Sequence, residues 1–237
     1  MLIRFILLLI AAYLLGSIPT AYLVAKWRRG IDIRQYGTGN VGASNVMAVV
    51  SKKWSIPVSL FDIAKGAVMV WLAQSSGLDA VPQVIIGLAV ITGHNWTIFL
   101  NFNGGRGIFT SLGVIIMLAP MVGPIALLLP YLFAPFKQLA LGVTITLVLL
   151  PILALTLSQT LSISEPVTVS MGYTAILLLA LFRRLTVPKS ELGAKVSKSE
   201  LILNRLLFDR DIKDREAWLK HMHPMPNTKS EIRNTKL

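Results

Sequence analysis

Six long stretches of apolar residues constrain this chain more than any other feature of its sequence. They run over residues 3–25, 55–74, 81–100, 108–136, 139–158 and 166–182. A helix needs about 20 apolar residues to cross the hydrocarbon core of a bilayer. Only 14% of the residues are charged and the mean hydropathy is +0.67, whereas soluble domains carry about 25% charged residues. The sequence therefore predicts an all-α, polytopic membrane protein that uses the lipid bilayer as its solvent.

The stretch 108–136 decides the predicted topology. It is long for one helix and short for two, and Pro120, Gly123 and Pro124 interrupt its middle. With the N-terminus outside, a single crossing here would export the basic C-terminal tail, whereas two short helices return that tail to the cytoplasm. We therefore predict seven transmembrane helices with the N-terminus outside and the C-terminus in the cytoplasm, because every basic loop then obeys the positive-inside rule. Residues 1–182 form the membrane domain and residues 183–237 a basic cytoplasmic tail.

The positive charge of the chain is confined to one loop and the tail. Of a net charge of +12, residues 26–53 contribute six Lys and Arg against one Asp, and residues 183–237 contribute thirteen against seven acids. Basic residues that flank apolar spans indicate membrane topology and not a nucleic-acid surface, so we predict no nucleic-acid partner. The chain has no cysteine, which excludes disulfides, thiolate metal sites and a thioester-forming nucleophile.

The loop after the first span contains a glycine-rich segment. Small residues let backbone N–H groups approach a ligand, and neutral side chains and an arginine add the donors that a phosphate needs. The string lacks the ending of a Walker A loop and follows no strand, so it does not match a nucleotide fingerprint. An ordinary turn without a ligand is the alternative. The candidate residues for binding phosphate here are Arg34, Gly37, Thr38, Gly39, Asn40, Gly42 and Ser44, and we expect Asn45 to donate to the reacting oxygens.

A second glycine cluster, Gly104-Gly105-Arg106-Gly107, is predicted to lie on the same side of the membrane. Arg106 is expected to open the next helix, where free N–H groups and the helix dipole favour an anion. Two such clusters on one side suit two substrates that each carry a phosphate. The alternative is a tight re-entrant turn whose arginine only fixes the topology.

Three polar residues are placed within or at the ends of apolar spans. Asp62 and Lys65 are three positions apart, hence on one helical face, and charges at that depth must pair or face a polar cavity. We predict an ion pair that supports the site. His94 lies at or near the cytoplasmic end of the third span, where it is either a general base, a phosphate ligand or a hydrogen-bonded structural residue. His221 and His223 lie in the polar tail and are expected to be solvated, and we predict no metal site.

At these residues the chain resembles the bacterial membrane acyl-phosphate:glycerol-3-phosphate acyltransferase family. The matching strings are Gly16-Ser17-Ile18-Pro19-Thr20, Ile31 to Asn45, Asp62-Ile63-Ala64-Lys65-Gly66 and Gly93-His94-Asn95-Trp96 through Ser111. The resemblance implies a seven-helix protein of the bacterial inner membrane with a cytoplasmic active site. It implies transfer of an acyl group from acyl phosphate to the 1-hydroxyl of glycerol 3-phosphate, giving lysophosphatidic acid and phosphate without a cofactor or metal.

The chain departs from that family's pattern at three places. Arg106 stands where the family usually has lysine, and Ala140 stands where the family has a serine before the sixth helix. The family's Arg-His ending reads Arg183-Arg184 here, so its histidine has no counterpart. A catalytically silent relative that binds or transports a phosphorylated metabolite is the alternative function, since helices interrupted by Pro and Gly also occur in transporters.

Overall fold

The structure is a computed structural model that describes residues 1–220, and every regular element within that range is helical. Short 3-10 turns lie at Ile33–Gln35, Ile98–Leu100, Pro120–Val122 and Leu129–Phe133. The α-helices are α1 (Leu2–Ser17), α2 (Thr20–Arg29), α3 (Ala43–Val49), α4 (Lys52–Ser75), α5 (Ala80–Asn95), α6 (Ile108–Leu118), α7 (Gly123–Leu128), α8 (Leu139–Thr156), α9 (Pro166–Leu185), α10 (Lys198–Phe208) and α11 (Arg215–Lys220).

Five of the described helical segments are long and apolar enough to cross a membrane. They are Leu2–Arg29, Lys52–Ser75, Ala80–Leu100, Leu139–Thr156 and Pro166–Leu185. Two shorter apolar segments, Ile108–Leu118 and Pro120–Phe133, occupy the stretch that was predicted to contain two short helices. The all-α membrane fold predicted from the sequence is confirmed. Seven crossings and the orientation of the termini stay predictions.

The first predicted span is two helices and not one. Ile18 is extended, with ψ 113°, and α2 begins after Pro19. Proline disfavours helical geometry at the residue before it and has no N–H to continue the ladder. The break leaves carbonyl groups at the end of α1 without helical partners. Lys65 of α4 supplies hydrogen-bond donors there. Its Nζ donates to the Gly16 carbonyl oxygen at 3.0 Å and to that of Ile18 at 3.4 Å.

Glycines let two pairs of helices pack closely. At each of four positions, an added Cβ would collide with a backbone carbonyl of the facing helix, so the helix axes could not approach as they do. Close packing of this kind is how helices associate in lipid, where burial of apolar surface gives no driving force. The glycines are Gly16 and Gly93 between α1 and α5, and Gly66 and Gly113 between α4 and α6.

A second hydrophobic cluster, separate from the core between the long helices, holds the loop that follows α2. Ile31, Ile33, Tyr36 and Val41 of that loop are buried. They pack with apolar residues of α2, of α3, of the start of α4 and with Leu100. Apolar contacts therefore hold the loop in place on both sides of its glycine-rich segment.

The described part of the tail packs against this membrane domain. Helix α9 continues to Leu185, three residues beyond the predicted span, and its last turn carries Arg183 and Arg184. Arg184 donates to Thr144 Oγ1 of α8 at 2.7 Å and to the Leu206 carbonyl oxygen of α10 at 2.6 Å. This arginine joins α8, α9 and α10, so it holds α10 against the two long helices.

Candidate active site

Asn45 organises the first glycine-rich loop from its centre. Its Nδ2 donates to the carbonyl oxygens of Ile33 and Tyr36 at 3.2 and 3.0 Å, and its Oδ1 accepts from the Thr38 N–H at 3.0 Å. The side chain is fully buried, and both of its N–H donors are used. Gly37 has a φ of +58°, and a side chain there would collide with Asn45 Oδ1. This geometry supports a positioning role for Asn45, where the sequence led us to expect a donor to the reacting oxygens.

Arg34 is already paired within its own loop. Its guanidinium donates to both carboxylate oxygens of Asp32, at 2.6 Å from Nη2 and 3.0 to 3.1 Å from Nε. Burial by itself would raise the pKa of Asp32, but the hydrogen bonds and charge of Arg34 outweigh burial and hold that pKa below its usual range. The same hydrogen bonds raise the pKa of Arg34. Asp32 thus orients Arg34, a partnership that was not predicted from the sequence.

The second glycine-rich loop is folded back onto the end of α5. The N–H groups of Gly104 and Gly105 donate to the carbonyl oxygens of Asn95 and His94, at 3.2 and 3.0 Å. A side chain on Gly105 would collide with His94 Nε2 and with the Val41 carbonyl oxygen of the first loop. The two glycine-rich loops are therefore in direct contact, and they lie at the same end of the helices.

Arg183 fixes the second loop from the opposite side. Its Nη2 donates to the Gly104 carbonyl oxygen at 2.8 Å and its Nε to that of Gly105 at 2.9 Å. The guanidinium also lies over the Trp96 ring, 5.7 Å from its centroid. By using both carbonyl groups, Arg183 holds the loop that carries Arg106.

Arg106 itself is bound to the tail. It precedes α6 by two residues and does not open that helix as predicted, because Gly107 forms the N-cap with a φ of +72°. Its Nε lies 2.8 and 3.0 Å from the two carboxylate oxygens of Asp209, at the end of α10. Both side chains are partly exposed, 17% for Arg106 and 25% for Asp209.

A cavity of about 450 Å³ lies where the two loops meet the tail. Among the residues that line it, seven are Lys or Arg and three are Asp or Glu, so its field favours anions. From the sequence-predicted set it is lined by Arg34, Gly37, Thr38, Gly39, Asn40, Gly104 and Arg106. The predicted residues that are not among its lining are Gly42, Ser44, Asn45, Asp62, Lys65, His94, Gly105 and Gly107. Ser44 is exposed on α3.

The contribution of α9 and the tail to this cavity was not predicted from the sequence. Arg183, Arg184, Arg205, Asp209 and Asp211 all line it. Their signal was present in the sequence, since Arg183-Arg184 ends the last span and Arg205 lies in a short apolar segment flanked by charges. Because they are distant from the loops along the chain, the sequence alone gave no reason to bring them together.

Asp62, Lys65 and His94 form a buried polar cluster next to the site. Asp62 Oδ1 lies 2.9 Å from Lys65 Nζ and accepts from Thr20 Oγ1 at 3.0 Å. Lys65 Nζ lies 2.8 Å from His94 Nδ1, while His94 Nε2 faces Gly105. Both ring nitrogens of His94 thus face protein groups. This arrangement supports a structural role for His94 better than the role of a general base.

No group of three His, Asp or Glu side chains within residues 1–220 is placed to hold a metal ion. His221 and His223, which were expected to be solvated, lie outside the described residues.

Two curated relatives match nearly the whole chain. Glycerol-3-phosphate acyltransferase 5 of Dehalococcoides mccartyi strain ATCC BAA-2266 / KCTC 15142 / 195 is 48% identical over 215 residues, which are 91% of this chain and 92% of that protein. Glycerol-3-phosphate acyltransferase 4 of strain CBDB1 is 46% identical over 215 residues, 91% of this chain and 93% of that protein. On a chain of 237 residues, a match of that extent must include most of the tail.

The fold matches that of a solved membrane enzyme. The crystal structures of PlsY (YgiH), an integral membrane glycerol 3-phosphate acyltransferase, include a glycerol 3-phosphate form that superposes with a TM-score of 0.67 at 32% identity. The superposition covers 76% of this chain and 88% of PlsY. A lysophosphatidic acid form gives a TM-score of 0.66.

The family model described as glycerol-3-phosphate acyltransferase matches residues 6–187. That range contains the long helices except for the first four residues of α1, together with both glycine-rich loops, the Asp62–Lys65 pair and Arg183. The full-length relatives and the superposed fold agree with this match. The chain is therefore an integral membrane acyltransferase that belongs to the glycerol-3-phosphate acyltransferase family.

Proposed function

We propose that the protein transfers a fatty acyl group from acyl phosphate to the 1-hydroxyl of glycerol 3-phosphate. The products are lysophosphatidic acid and inorganic phosphate, and the reaction is the first acylation in phospholipid synthesis. The observation that carries the proposal is the cationic cavity. There the two glycine-rich loops, with Arg34 and Arg106, meet the arginines of α9. PlsY, the solved relative, has forms described with glycerol 3-phosphate and with lysophosphatidic acid, which supports the same acceptor and product here.

In this reaction the main tasks of the protein are to bind the two substrates and to align them. The 1-hydroxyl oxygen attacks the carbonyl carbon of the acyl phosphate, an ester C–O bond forms, and the bond between the acyl carbon and the phosphate oxygen breaks. The hydroxyl proton ends on the departing phosphate. Because the donor is a mixed anhydride with a good leaving group, holding the two substrates in line and stabilising the developing negative charge supply most of the catalysis.

The cavity residues fit these tasks in different ways. Arg106 is the candidate phosphate ligand of the second loop, and an arginine fork matches phosphate geometry. Arg34, oriented by Asp32, brings a second positive charge to the same cavity from the first loop. The buried position of His94 between Lys65 and Gly105 supports the phosphate of the donor, and not His94, as the acceptor of the hydroxyl proton.

The distribution of charge supports a cytoplasmic site in the bacterial inner membrane. The glycine-rich loops and α10 are in contact, so they share one side of the bilayer, and that side carries the basic loop of residues 26–53. Positive loops face the cytoplasm. The same rule puts the N-terminus outside. It requires seven crossings, of which each of the two short apolar segments supplies one.

Purified protein in detergent, incubated with acyl phosphate and radiolabelled glycerol 3-phosphate, tests the reaction. We expect lysophosphatidic acid and inorganic phosphate to form in equal amounts. Acyl coenzyme A and acyl-acyl carrier protein serve as alternative donors in parallel reactions. Product from one of these, and none from acyl phosphate, would show that the donor is wrong.

Variants at Arg106 test the assignment of the cavity. Arg106→Ala should reduce the rate at low substrate concentration by at least tenfold, as expected for loss of a charge-assisted phosphate contact. Arg106→Lys should restore part of the rate, because it keeps the cation but loses the fork. An Arg106→Ala enzyme with parental kinetic constants would remove the second loop from the site.

A further inference from the structure

The contact between Arg106 and Asp209 places a carboxylate of the tail at the cation proposed to bind substrate phosphate. Both oxygens of Asp209 lie within 3.0 Å of Arg106 Nε, and both residues line the cavity. A carboxylate and a phosphate present similar pairs of acceptor oxygens to a guanidinium. The two anions therefore compete for one cation.

Asp209 differs from the other aspartate of the cavity wall in what it binds. Asp211 is used within the tail, since it accepts from Arg205 Nε at 2.7 Å and from the Ser190 N–H and hydroxyl at 2.7 Å. The ion pair of Asp209 instead reaches from the tail to the second glycine-rich loop, 103 residues away in sequence. Its carboxylate is thus placed on the site and does not serve the fold of the tail.

The backbone at Asp209 is left-handed, a conformation that is uncommon in residues other than glycine. Asp209 caps α10 in the left-handed region, with a φ of +53° and a ψ of +39°. Glycine is the residue most often found at such a helix end, because it has no Cβ to crowd the turn. The chain keeps a charged side chain at a position where glycine would relieve strain, and that side chain lies on Arg106.

We propose that Asp209 sets the substrate affinity of the active site by occupying Arg106 as an internal anion, which a substrate phosphate must displace. The inference rests on the proposed role of Arg106 as a phosphate ligand. A phosphate carries more negative charge than a carboxylate and offers a third oxygen, so it can replace Asp209. The partly exposed pair is weak enough to open, since exposed ion pairs contribute little free energy.

Kinetics of the full-length protein in detergent test the proposal. Asp209→Asn removes the charge and keeps a residue that tolerates left-handed geometry. We expect the KM for glycerol 3-phosphate or for acyl phosphate to fall about two- to fivefold, the range for an exposed ion pair, with kcat little changed. The inhibition constant of inorganic phosphate should fall by a similar factor if Arg106 takes the phosphate of the donor. Asp209→Gly should tighten binding in the same way and raise the thermal midpoint.

Glu191→Gln is the matched control. Glu191 lines the same cavity and is exposed, so its substitution removes one negative charge without touching Arg106. We expect KM to change less in this variant than in Asp209→Asn, because Glu191 forms no ion pair with Arg106. An equal fall of KM in Glu191→Gln and Asp209→Asn would show a general effect of net charge and overturn the proposal. An unchanged or higher KM in folded Asp209→Asn and Asp209→Gly enzymes would overturn it as well.

Arg106→Ala separates failure of this inference from failure of the proposed site. In that background Asp209→Asn should give no further tightening, because the cation for which the anions compete is gone. If Arg106→Ala weakens binding but Asp209→Asn leaves it unchanged, the phosphate ligand is correct and only the role of Asp209 is wrong. If Arg106→Ala leaves KM and phosphate inhibition at parental values, both assignments fail.

Discussion

Individual polar residues act here mostly through the backbone they hold. Asn45, Arg183 and Lys65 each bind carbonyl groups of a neighbouring segment, and these bonds set the shape of the first loop, the second loop and the end of α1. Buried carbonyl groups without partners are costly, so each side chain fixes one backbone conformation. The cavity is the space that remains between segments fixed in this way.

Substitution of Asn45 distinguishes a positioning residue from a donor to the substrate. Asn45→Ala should destabilise the loop by about 1–3 kcal/mol, because Ile33, Tyr36 and Thr38 lose their partner. We expect a lower thermal midpoint and a raised KM. Ser44→Ala, at the exposed neighbouring position, is the control and should behave as the parent. A fall in kcat alone, with parental KM and thermal midpoint, would restore the role of reacting donor to Asn45.

At this scale the sequence predicted residue types better than their roles. Glycines, Arg34 and Arg106 were singled out because phosphate chemistry needs small residues and forked cations. Both arginines line the cavity, as do the glycines at positions 37, 39 and 104, whereas those at 42, 105 and 107 do not. The carboxylate partners Asp32 and Asp209 were not foreseen. A partner two residues away can be deduced from spacing, but a partner 103 residues away depends on how the tail folds back.

At the scale of whole helices, the Asp62–Lys65–His94 cluster joins α1, α2, α4 and α5. Lys65→Met would leave Asp62 buried without its cation and the α1 carbonyls without their donor. Removing one partner of a buried pair costs about 3–5 kcal/mol. We expect a clear loss of thermal stability in detergent, partly recovered when Asp62→Asn is added. A parental thermal midpoint for Lys65→Met would mean that the cluster does not support the helix contacts.

Docking of α10 should depend on acid pH through Asp211. Burial acts to raise the pKa of this carboxyl, but the hydrogen bonds from Arg205 and Ser190 outweigh burial and lower the pKa from its ordinary value of 3.8. A lowered folded pKa stabilises the tail above about pH 4, and this contribution is lost as pH falls through the folded value. Limited proteolysis of residues 186–211 should therefore accelerate only below about pH 4.

Asp211→Asn provides the comparison for that experiment. Asparagine resembles the protonated acid, so the variant should be cleaved faster at neutral pH and show little further change on acidification. Tail cleavage in the parent that rises steadily from pH 8 to pH 5 would point to groups other than Asp211.

For the whole molecule, the length of the apolar stretches predicted the fold class and the uneven distribution of positive charge predicted the topology. The helices follow from stretches that only lipid can accommodate, and the two short segments follow from Pro120 and Gly123. The break at Pro19 and the return of the tail to the cavity were not predicted. A proline inside an apolar stretch does not reveal whether neighbouring groups will satisfy the exposed carbonyls. The docking of α10 depends on Arg184 of α9, which contacts both α8 and α10.

The side on which the site lies can be measured with single cysteines, since the chain has none. Ser51 precedes α4, Ser76 follows it and Ser199 lies on α10. Because α4 is long and apolar enough to cross the bilayer, we expect positions 51 and 76 to lie on opposite sides. The Arg106 loop contacts both α10 and the first glycine-rich loop, so we expect position 199 on the side of position 51. The positive-inside rule assigns that shared side to the cytoplasm. In intact cells a membrane-impermeant maleimide should therefore label position 76 and spare positions 51 and 199 until the membrane is opened. Labelling of 51 and 199 with protection of 76 would invert the topology and place the site outside, whereas labelling of only one of 51 and 199 would contradict the docking of the tail itself.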